Sequence, residues 1–278
     1  MKLLICTQKV DPNDPVLGFF VRWIEEFKKH CEVEVVSLKD LGGGGRAMRA
    51  LRLMRLASQL KYDAVFVHMN PEYLIAAGWY WRLRGKKSAL WYTHKAVNLR
   101  LRIAVFFADV VLTASPESFR LHSKKVRVMG HGIDTDFFTP DPSVARAEHW
   151  LSAGRLMQSK RHDLALREAA QAGRELRIAG EGPERAKLEV LARELNARVV
   201  FLGPLTQVGL RDEYRRAAKL IHRSETGSLD KVVLEATACG CPVDTTNPAL
   251  KLLPLTPQWV REHHSLVSLI PRILETLT

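Results

Sequence analysis

A chain of 278 residues with 46% apolar side chains can bury one large core or two modest ones, and that hydrophobicity excludes intrinsic disorder. Its 42 Lys+Arg against 30 Asp+Glu leave a formal charge of +12, which points to an anionic partner: a phospholipid surface, a nucleic acid or a phosphorylated substrate. Four cysteines (Cys6, Cys31, Cys239 and Cys241) are too few to staple a chain this long, so plain thiols in a reducing compartment are expected.

The opening MKLLIC lacks the apolar stretch of a signal peptide and reads as a first strand. Short runs rich in β-branched residues then alternate with helix-period segments, the pattern of parallel sheets covered by helices. Strands are expected at residues 3–6, 33–37, 64–68, 89–93, 110–114 and 126–129, with helices such as 19–29 and 46–60 between them. The most apolar stretches, 73–81 and 103–108, fall well short of the ~20 residues that span a bilayer. A soluble, cytoplasmic chain, at most peripheral on the inner face of a membrane, is therefore expected.

Residues 139–149, TPDPSVARAEH, combine two prolines with little apolar content and read as a linker. The alternation then restarts, with strands at 150–153, 176–179, 199–202 and 220–222. Helices are expected at 161–171, 183–195 (Pro183 as first helical residue), 210–218 and 231–239, with one closing helix in REHHSLVSLIPRILETL. The domain reading is 1–138, a linker at 139–149, a second domain at 150–262 and a closing helix at 263–278. In open parallel sheets ligands collect at the carboxyl ends of strands, so function is sought in the strand-to-helix loops.

Three of those loops carry chemistry. In SAGRLMQSKRHD, Gly154 lets backbone approach a ligand, Arg155 offers a planar fork and Lys160 a point charge, which together suit a diphosphate. In RIAGEGPER, Gly180, Glu181 and Gly182 precede a helix, but Arg185 takes the third glycine's place in G-x-G-x-x-G, so a plain tight turn is an equal reading. In ETGSLDKVVLEATACGCPV, the turn Gly227, Ser228, Leu229 at a helix start can form an anion nest, while Asp230 suits an N-cap. Glu235, on a helix that is otherwise nearly all apolar, needs a partner, and a sugar hydroxyl pair would serve.

In this order and spacing, GRLMQSK, AGEGP, VVFLGP and SLDKVVLEATACGCPV resemble the C-terminal domain of retaining glycosyltransferases of family 4, glycosyl transferases group 1. GHGIDTDFF, residues 130–138, resembles the turn by which those enzymes leave their N-terminal domain. The resemblance implies an α/β GT-B architecture, two Rossmann-like domains whose parallel sheets face each other across a cleft, with the acceptor mainly on the N-terminal side. By position, Arg155 and Lys160 would neutralise a diphosphate, with Gly154, Gly180 and Glu181 beside it. Ser228, Leu229, Asp230 and Lys231 would sit against the distal phosphate and sugar, and Glu235 would bind the ribose. Gly18 would approach the diphosphate from the other side, and His94, in WYTHK, would face the transferred sugar; a structural hydrogen bond is the competing reading of His94. The family's paired acids, E-x7-E, are incomplete, because Gly227 stands where the first glutamate belongs and Glu225 is two residues early.

The implied reaction is a retaining, metal-independent transfer of the hexosyltransferase type, with a nucleotide-diphosphate sugar as co-substrate and no further cofactor. Its expected acceptor is a lipid-linked or cell-envelope glycan. Residues 1–138 carry +9 and residues 139–278 carry +3, and Arg46, Arg49, Arg52 and Arg55 alternate with Met48, Leu51 and Met54. That segment fits an anionic membrane surface, and equally a Rossmann helix with a solvated outer face. Two other readings stand beside this one: a nucleotide-sugar epimerase of the same fold, and a basic membrane- or nucleic-acid-binding module. A nucleic-acid partner is not expected, since no RNA- or DNA-reading element is recognisable.

Overall fold

The computed structural model describes all 278 residues. In chain order the elements are β1 (Lys2–Thr7), α1 (Phe19–His30), β2 (Glu32–Ser37), α2 (Arg46–Gln59), β3 (Ala64–His68), α3 (Glu72–Leu83), β4 (Lys87–Trp91), α4 (Leu99–Phe107), β5 (Val110–Thr113) and β6 (Val126–Val128). They continue with β7 (Trp150–Ala153), α5 (His162–Gln171), β8 (Leu176–Ala179), α6 (Arg185–Glu194), β9 (Val199–Gly203), α7 (Gln207–Arg216), β10 (Lys219–His222), α8 (Lys231–Ala238) and β11 (Val243–Thr245). Three helices end the chain: α9 (Pro248–Lys251), α10 (Pro257–His264) and α11 (Leu266–Glu275). No helix is long and apolar enough to cross a membrane. Two compact units result, one of Met1–Pro12, Leu17–Gly132 and Leu266–Thr278, the other of Asn13–Val16 and Ile133–Ser265.

The first unit is built on a parallel sheet in the order β2-β1-β3-β4-β5-β6. Side chains alternate across its two faces. Leu4, Cys6, Val65, Val67, Leu90 and Val111 pack with Leu53 of α2, Leu74 and Trp81 of α3 and Leu101 of α4. Leu3, Ile5, Phe66, Ala89 and Trp91 pack with Phe20, Trp23 and Phe27 of α1 and Leu269, Ile270 and Ile273 of α11. Covering both faces explains why β3 is buried at every position and reads as a continuous apolar run.

The second unit holds a parallel sheet in the order β11-β10-β7-β8-β9. Leu176, Ile178 and Ile221 pack with Leu166 of α5 and Leu188 of α6, while Leu151, Ala153 and Leu220 pack with Tyr214 of α7 and Val233 and Leu234 of α8. Strand order reverses between β7 and β10, so the carboxyl ends of those two strands are the favoured place for a ligand.

Two local expectations are corrected. The closing segment is not one helix: it breaks at Ser265, which takes an extended conformation, and His264 accepts the Ile133 amide at 2.6 Å across an isolated parallel bridge between Ile133 and Ser265. Pro183 is not the first residue of α6 either. The amide of Glu184 is tied to the Leu156 carbonyl at 3.0 Å, which keeps Pro183 in a turn and starts the helix at Arg185. Segment 139–149 lies along the second unit, where the Arg146 guanidinium donates to the carbonyls of Ala217 at 2.9 Å and Tyr214 at 3.3 Å.

Candidate functional site

The carboxyl end of β7 runs into Gly154 and Arg155, then through a 3-10 turn, Gln158–Lys160, into α5. The glycine loop after β8 lies directly on this segment. Gly154 donates its amide to Ala179 at 2.9 Å, and Leu156 donates to the Glu181 carbonyl at 2.9 Å. Gly180 has φ +143°, and a Cβ there would stand 1.9 Å from the Gly154 carbonyl oxygen, so only glycine lets the two loops close. Glu181 hydrogen-bonds within its own loop, to the Gly182 amide at 3.3 Å.

His162 fixes the Arg155 loop from below. Its Nδ1 lies 2.8 Å from Ser152 Oγ and its Nε2 3.3 Å from the Arg155 carbonyl. Burial pushes its pKa down to about 4, with Lys160 and His222 adding to the effect against the opposing Arg155 carbonyl. The ring is thus neutral at physiological pH, with Nε2–H donating to the carbonyl and Nδ1 accepting from the serine. The Arg155 side chain stands exposed above it.

Lys160 reaches the loop between β10 and α8. Its Nζ donates to Asp230 Oδ1 at 2.8 Å. The other carboxylate oxygen lies 2.9 Å from His222 Nε2, and Thr226 Oγ1 donates to it at 3.2 Å. His222 is held in turn by Thr245 Oγ1, 2.9 Å from its Nδ1. Burial alone would raise the Asp230 carboxyl, but the His222 hydrogen bond and the Lys160 charge outweigh it and hold the group well below the usual carboxylate range. The N-cap expectation for this residue is therefore corrected: Asp230 occupies the N-cap position of α8 without a side-chain cap bond, because its carboxylate is spent on Lys160 and His222.

Further along, Ser228 accepts at its carbonyl from Asn247 Nδ2 at 2.9 Å and donates from Oγ to Thr226 Oγ1 at 3.3 Å. Leu229 packs against the core of this unit. Glu235, 2% exposed, finds its partners inside the chain: Lys231 Nζ lies 3.1 Å from Oε1 and Tyr214 Oη donates to Oε2 at 3.4 Å. The Glu225 amide donates to the Ser159 carbonyl at 2.9 Å, tying this loop to the one carrying Lys160. Gly154, Arg155, Lys160, Gly180, Glu181, Ser228, Leu229, Asp230, Lys231 and Glu235 are thus carried by loops and a helix start at one edge of one sheet. His162, His222, Thr226 and Asn247 complete the network, and residue order alone gave them no weight.

Gly18 and His94 belong to the first unit. Gly18 opens α1 in right-handed geometry, φ −55°, and its carbonyl accepts the Val21 amide at 3.3 Å. His94 is exposed in the loop after β4, with Nδ1 accepting the Ala96 amide at 3.0 Å. A buried histidine of this unit, His68 at the end of β3, stacks on Phe20 with ring centroids 3.8 Å apart.

Chemically, the edge of the second sheet offers three cations (Arg155, Lys160 and Lys231), two carboxylates (Asp230 and Glu235) and the amino end of α8, a setting for an anion flanked by hydroxyl groups. No group of three or more His, Cys, Asp or Glu side chains is arranged to hold a metal ion. A groove of about 970 Å3 lies beside it between α5 and α6, lined by Arg161, Asp163, Arg167, Leu188, Leu191 and Glu225. It contains none of Arg155, Lys160 or Asp230, and the chemistry above does not use it.

Residues 147–253 match the family model described as Glycosyl transferases group 1. A D-inositol 3-phosphate glycosyltransferase of Mycobacteroides abscessus is 36% identical over 137 residues, 43% of this chain and 31% of that protein. The gpi3 subunit of phosphatidylinositol N-acetylglucosaminyltransferase of Schizosaccharomyces pombe is 32% identical over 135 residues, 45% of this chain and 30% of that protein. The matched region thus spans about a third of the length of these curated relatives. Among solved structures, Anabaena Alr3699/HepE in complex with UDP-glucose superposes with a TM-score of 0.73 at 17% identity, covering 100% of this chain and 99% of that one. WaaG, a glycosyltransferase involved in lipopolysaccharide biosynthesis, gives 0.66 at 14% identity over 99% of both chains. Residues 147–253 therefore match a glycosyl transferases group 1 domain, and the chain has the α/β fold of these GT-B glycosyltransferase structures.

Proposed function

We propose that this protein is a retaining glycosyltransferase that moves a sugar from a nucleotide-diphosphate donor to a hydroxyl acceptor, using its own cations where other enzymes use a metal. The observation that carries the reading is the meeting of Arg155, Lys160, the two glycine loops and the amino end of α8 at the carboxyl ends of β7, β8 and β10. Departure of the nucleotide builds negative charge on the diphosphate, and positive groups already in place stabilise that charge without reorganising. Arg155 and Lys160 take this role, with Gly154, Gly180 and Glu181 beside the diphosphate. Ser228, Leu229, Asp230 and Lys231 face the distal phosphate and sugar, and Glu235 serves the ribose. The acceptor hydroxyl attacks from the face the leaving group vacates, and a phosphate oxygen takes its proton. In the first unit Gly18 serves the donor and His94 the transferred sugar.

The acceptor is a lipid-linked or cell-envelope glycan, and the protein works in the cytoplasm. A relative named for phosphatidylinositol and a structural neighbour involved in lipopolysaccharide biosynthesis support this choice.

A panel of nucleotide sugars, scored by thermal shift and nucleoside diphosphate release, tests the reading. At least one should stabilise the protein, and Arg155→Ala and Lys160→Ala should each abolish that response. Absence of stabilisation by every nucleotide and nucleotide sugar would overturn it.

A further inference from the structure

At the amino ends of its strands the first unit holds an open cavity of about 300 Å3 that the donor chemistry does not use. Lys2 of β1, Lys61 and Tyr62 before β3, and Tyr80, Arg84 and Lys86 at the end of α3 line it. The backbone fixes its walls. Gly85, at φ +64°, donates to the Arg82 carbonyl at 3.1 Å and Lys86 to the Trp81 carbonyl at 2.8 Å, a Schellman turn that sets Arg84 and Lys86 on either side of the glycine. The Tyr62 hydroxyl donates to the Ala57 carbonyl of α2 at 2.9 Å and accepts from Trp81 Nε1 of α3 at 3.0 Å, joining the ends of the two helices.

Charge is unbalanced here. Lys2 Nζ is matched by Glu34 at 3.1 Å, and Asp63, the acid of the lining, accepts the Lys2 amide at 2.7 Å. Lys61, Arg84 and Lys86 have no carboxylate within ion-pair distance; Lys86 Nζ lies over the Tyr62 ring, 5.7 Å from its centre. Cations at the carboxyl ends of helices are ordinarily answered by the last carbonyls, equivalent to about half a negative charge at each end. The ends of α2 and α3 together with Asp63 therefore offset about two of these three charges and leave about one uncompensated. The Tyr80 hydroxyl, which makes no hydrogen bond within the chain, adds a further donor.

We propose that this cavity binds a small phosphomonoester, the Arg84 guanidinium and the Lys61 and Lys86 ammonium groups meeting its three terminal oxygens. A carboxylate has two oxygens for three cations, and a polyanionic strand needs a track of charge instead of a cavity. The volume stands at the lower end of the ~300–1,000 Å3 of small-molecule sites, room for the phosphate and a small body. Reactants in open α/β sheets collect at the carboxyl ends of strands, so a ligand at the amino ends is an effector that stabilises the folded unit by mass action. The proposal does not rest on the donor site, which lies in the other unit.

Calorimetric titration and thermal shift with inorganic phosphate and glycerol 3-phosphate, against chloride at matched ionic strength, test it. Binding should have a Kd of about 1 mM or tighter and survive Arg155→Ala, which disables the donor loops. Arg84→Ala/Lys86→Ala should weaken it by at least about tenfold and Tyr80→Phe by about threefold, while Lys187→Ala/Lys251→Ala, in the second unit, should leave it unchanged. Thermal melts confirm that each variant is folded, and the nucleotide-sugar response reports the donor site separately. Absence of binding up to about 10 mM overturns the proposal. So does loss of binding in Arg155→Ala, which places the phosphate at the donor loops, or full binding by Arg84→Ala/Lys86→Ala. Equal stabilisation by chloride, which marks general screening, or binding to phosphatidic acid vesicles without binding of either soluble ester or phosphate, also overturns it.

Discussion

Replacing Asp230 by Asn keeps the shape of the site and removes one charge. The carboxylate is 2.8 Å from Lys160 and 2.9 Å from His222, with Lys160 and Asp230 side chains only 20% and 11% exposed. Removing one partner of a buried pair typically costs ~3–5 kcal/mol, and with this residual solvent access we take ~2–4 kcal/mol. At ~2–4 °C per kcal/mol, the melting temperature should fall by about 4–16 °C at neutral pH. Melts of Asp230→Asn, Lys160→Met and the double variant give the coupling of the pair, expected above ~1 kcal/mol. The pH dependence supplies a second reading. A carboxyl held below its ordinary value contributes stability that is present above the unfolded value, ~3.9, and is lost as pH falls through the folded value. Asp230→Asn should therefore flatten the acid limb below about pH 4. With one negative charge gone beside Lys160, added nucleoside diphosphate should stabilise the variant more than the parent. Coupling below ~0.5 kcal/mol together with an unchanged acid limb would refute the reasoning.

Acid behaviour between pH 6.5 and 4 should come from two buried histidines: His162, whose folded value is pushed down to about 4, and His149, which burial also lowers. The unfolded chain binds these protons first, so up to ~3 kcal/mol from His162 is lost as pH falls through that window, and His162→Gln should reduce the slope in chemical denaturation. Gly180→Ala should lower stability by at least ~3 kcal/mol, since the added Cβ meets backbone at 1.9 Å, whereas Gly203→Ala, with open space and φ +69°, should cost about 1 kcal/mol. Equal losses in the two variants would show that the glycine loops are not in contact. Asn98→Ala should cost ~1 kcal/mol in urea titration, because the Asn98 side chain accepts the Leu101 amide at 2.9 Å and caps α4.

The alternation of strands and helices was readable in sequence because both faces of each sheet are covered, which turns β3 into an unbroken apolar run. Arg155 and the glycines were readable for a different reason: they follow strands directly, and strand-to-helix loops are short. What escaped depends on contacts distant in sequence. Asp230 looks like an N-cap at its own position, and Lys160, 70 residues away, together with His222 redirects it. His162 and His222 were passed over because nothing local distinguishes a histidine that orders a loop from any other. Their one cue was place, close to the carboxyl ends of the central strands where strand order reverses. The break at Ser265 was hidden because neither glycine nor proline marks it in the sequence, and the bridge to Ile133 is what interrupts the helix.

The chain leaves the first unit after Gly132 and returns to it at Leu266. Because α11 supplies Leu266, Leu269, Ile270 and Ile273 to the sheet face that also holds Leu3, Ile5 and Phe66, that core cannot be completed until the final helix has been synthesised. At ~5–20 residues per second, translation of residues 133–265 takes roughly ten seconds, during which the earlier-made strands wait with one hydrophobic side incomplete. The order of synthesis is thus the reverse of the order of completion: the later unit can close as soon as Ser265 emerges, and the earlier one closes behind it. Chaperone dependence and aggregation during expression should therefore track the chain's last dozen residues more closely than any part of the second unit.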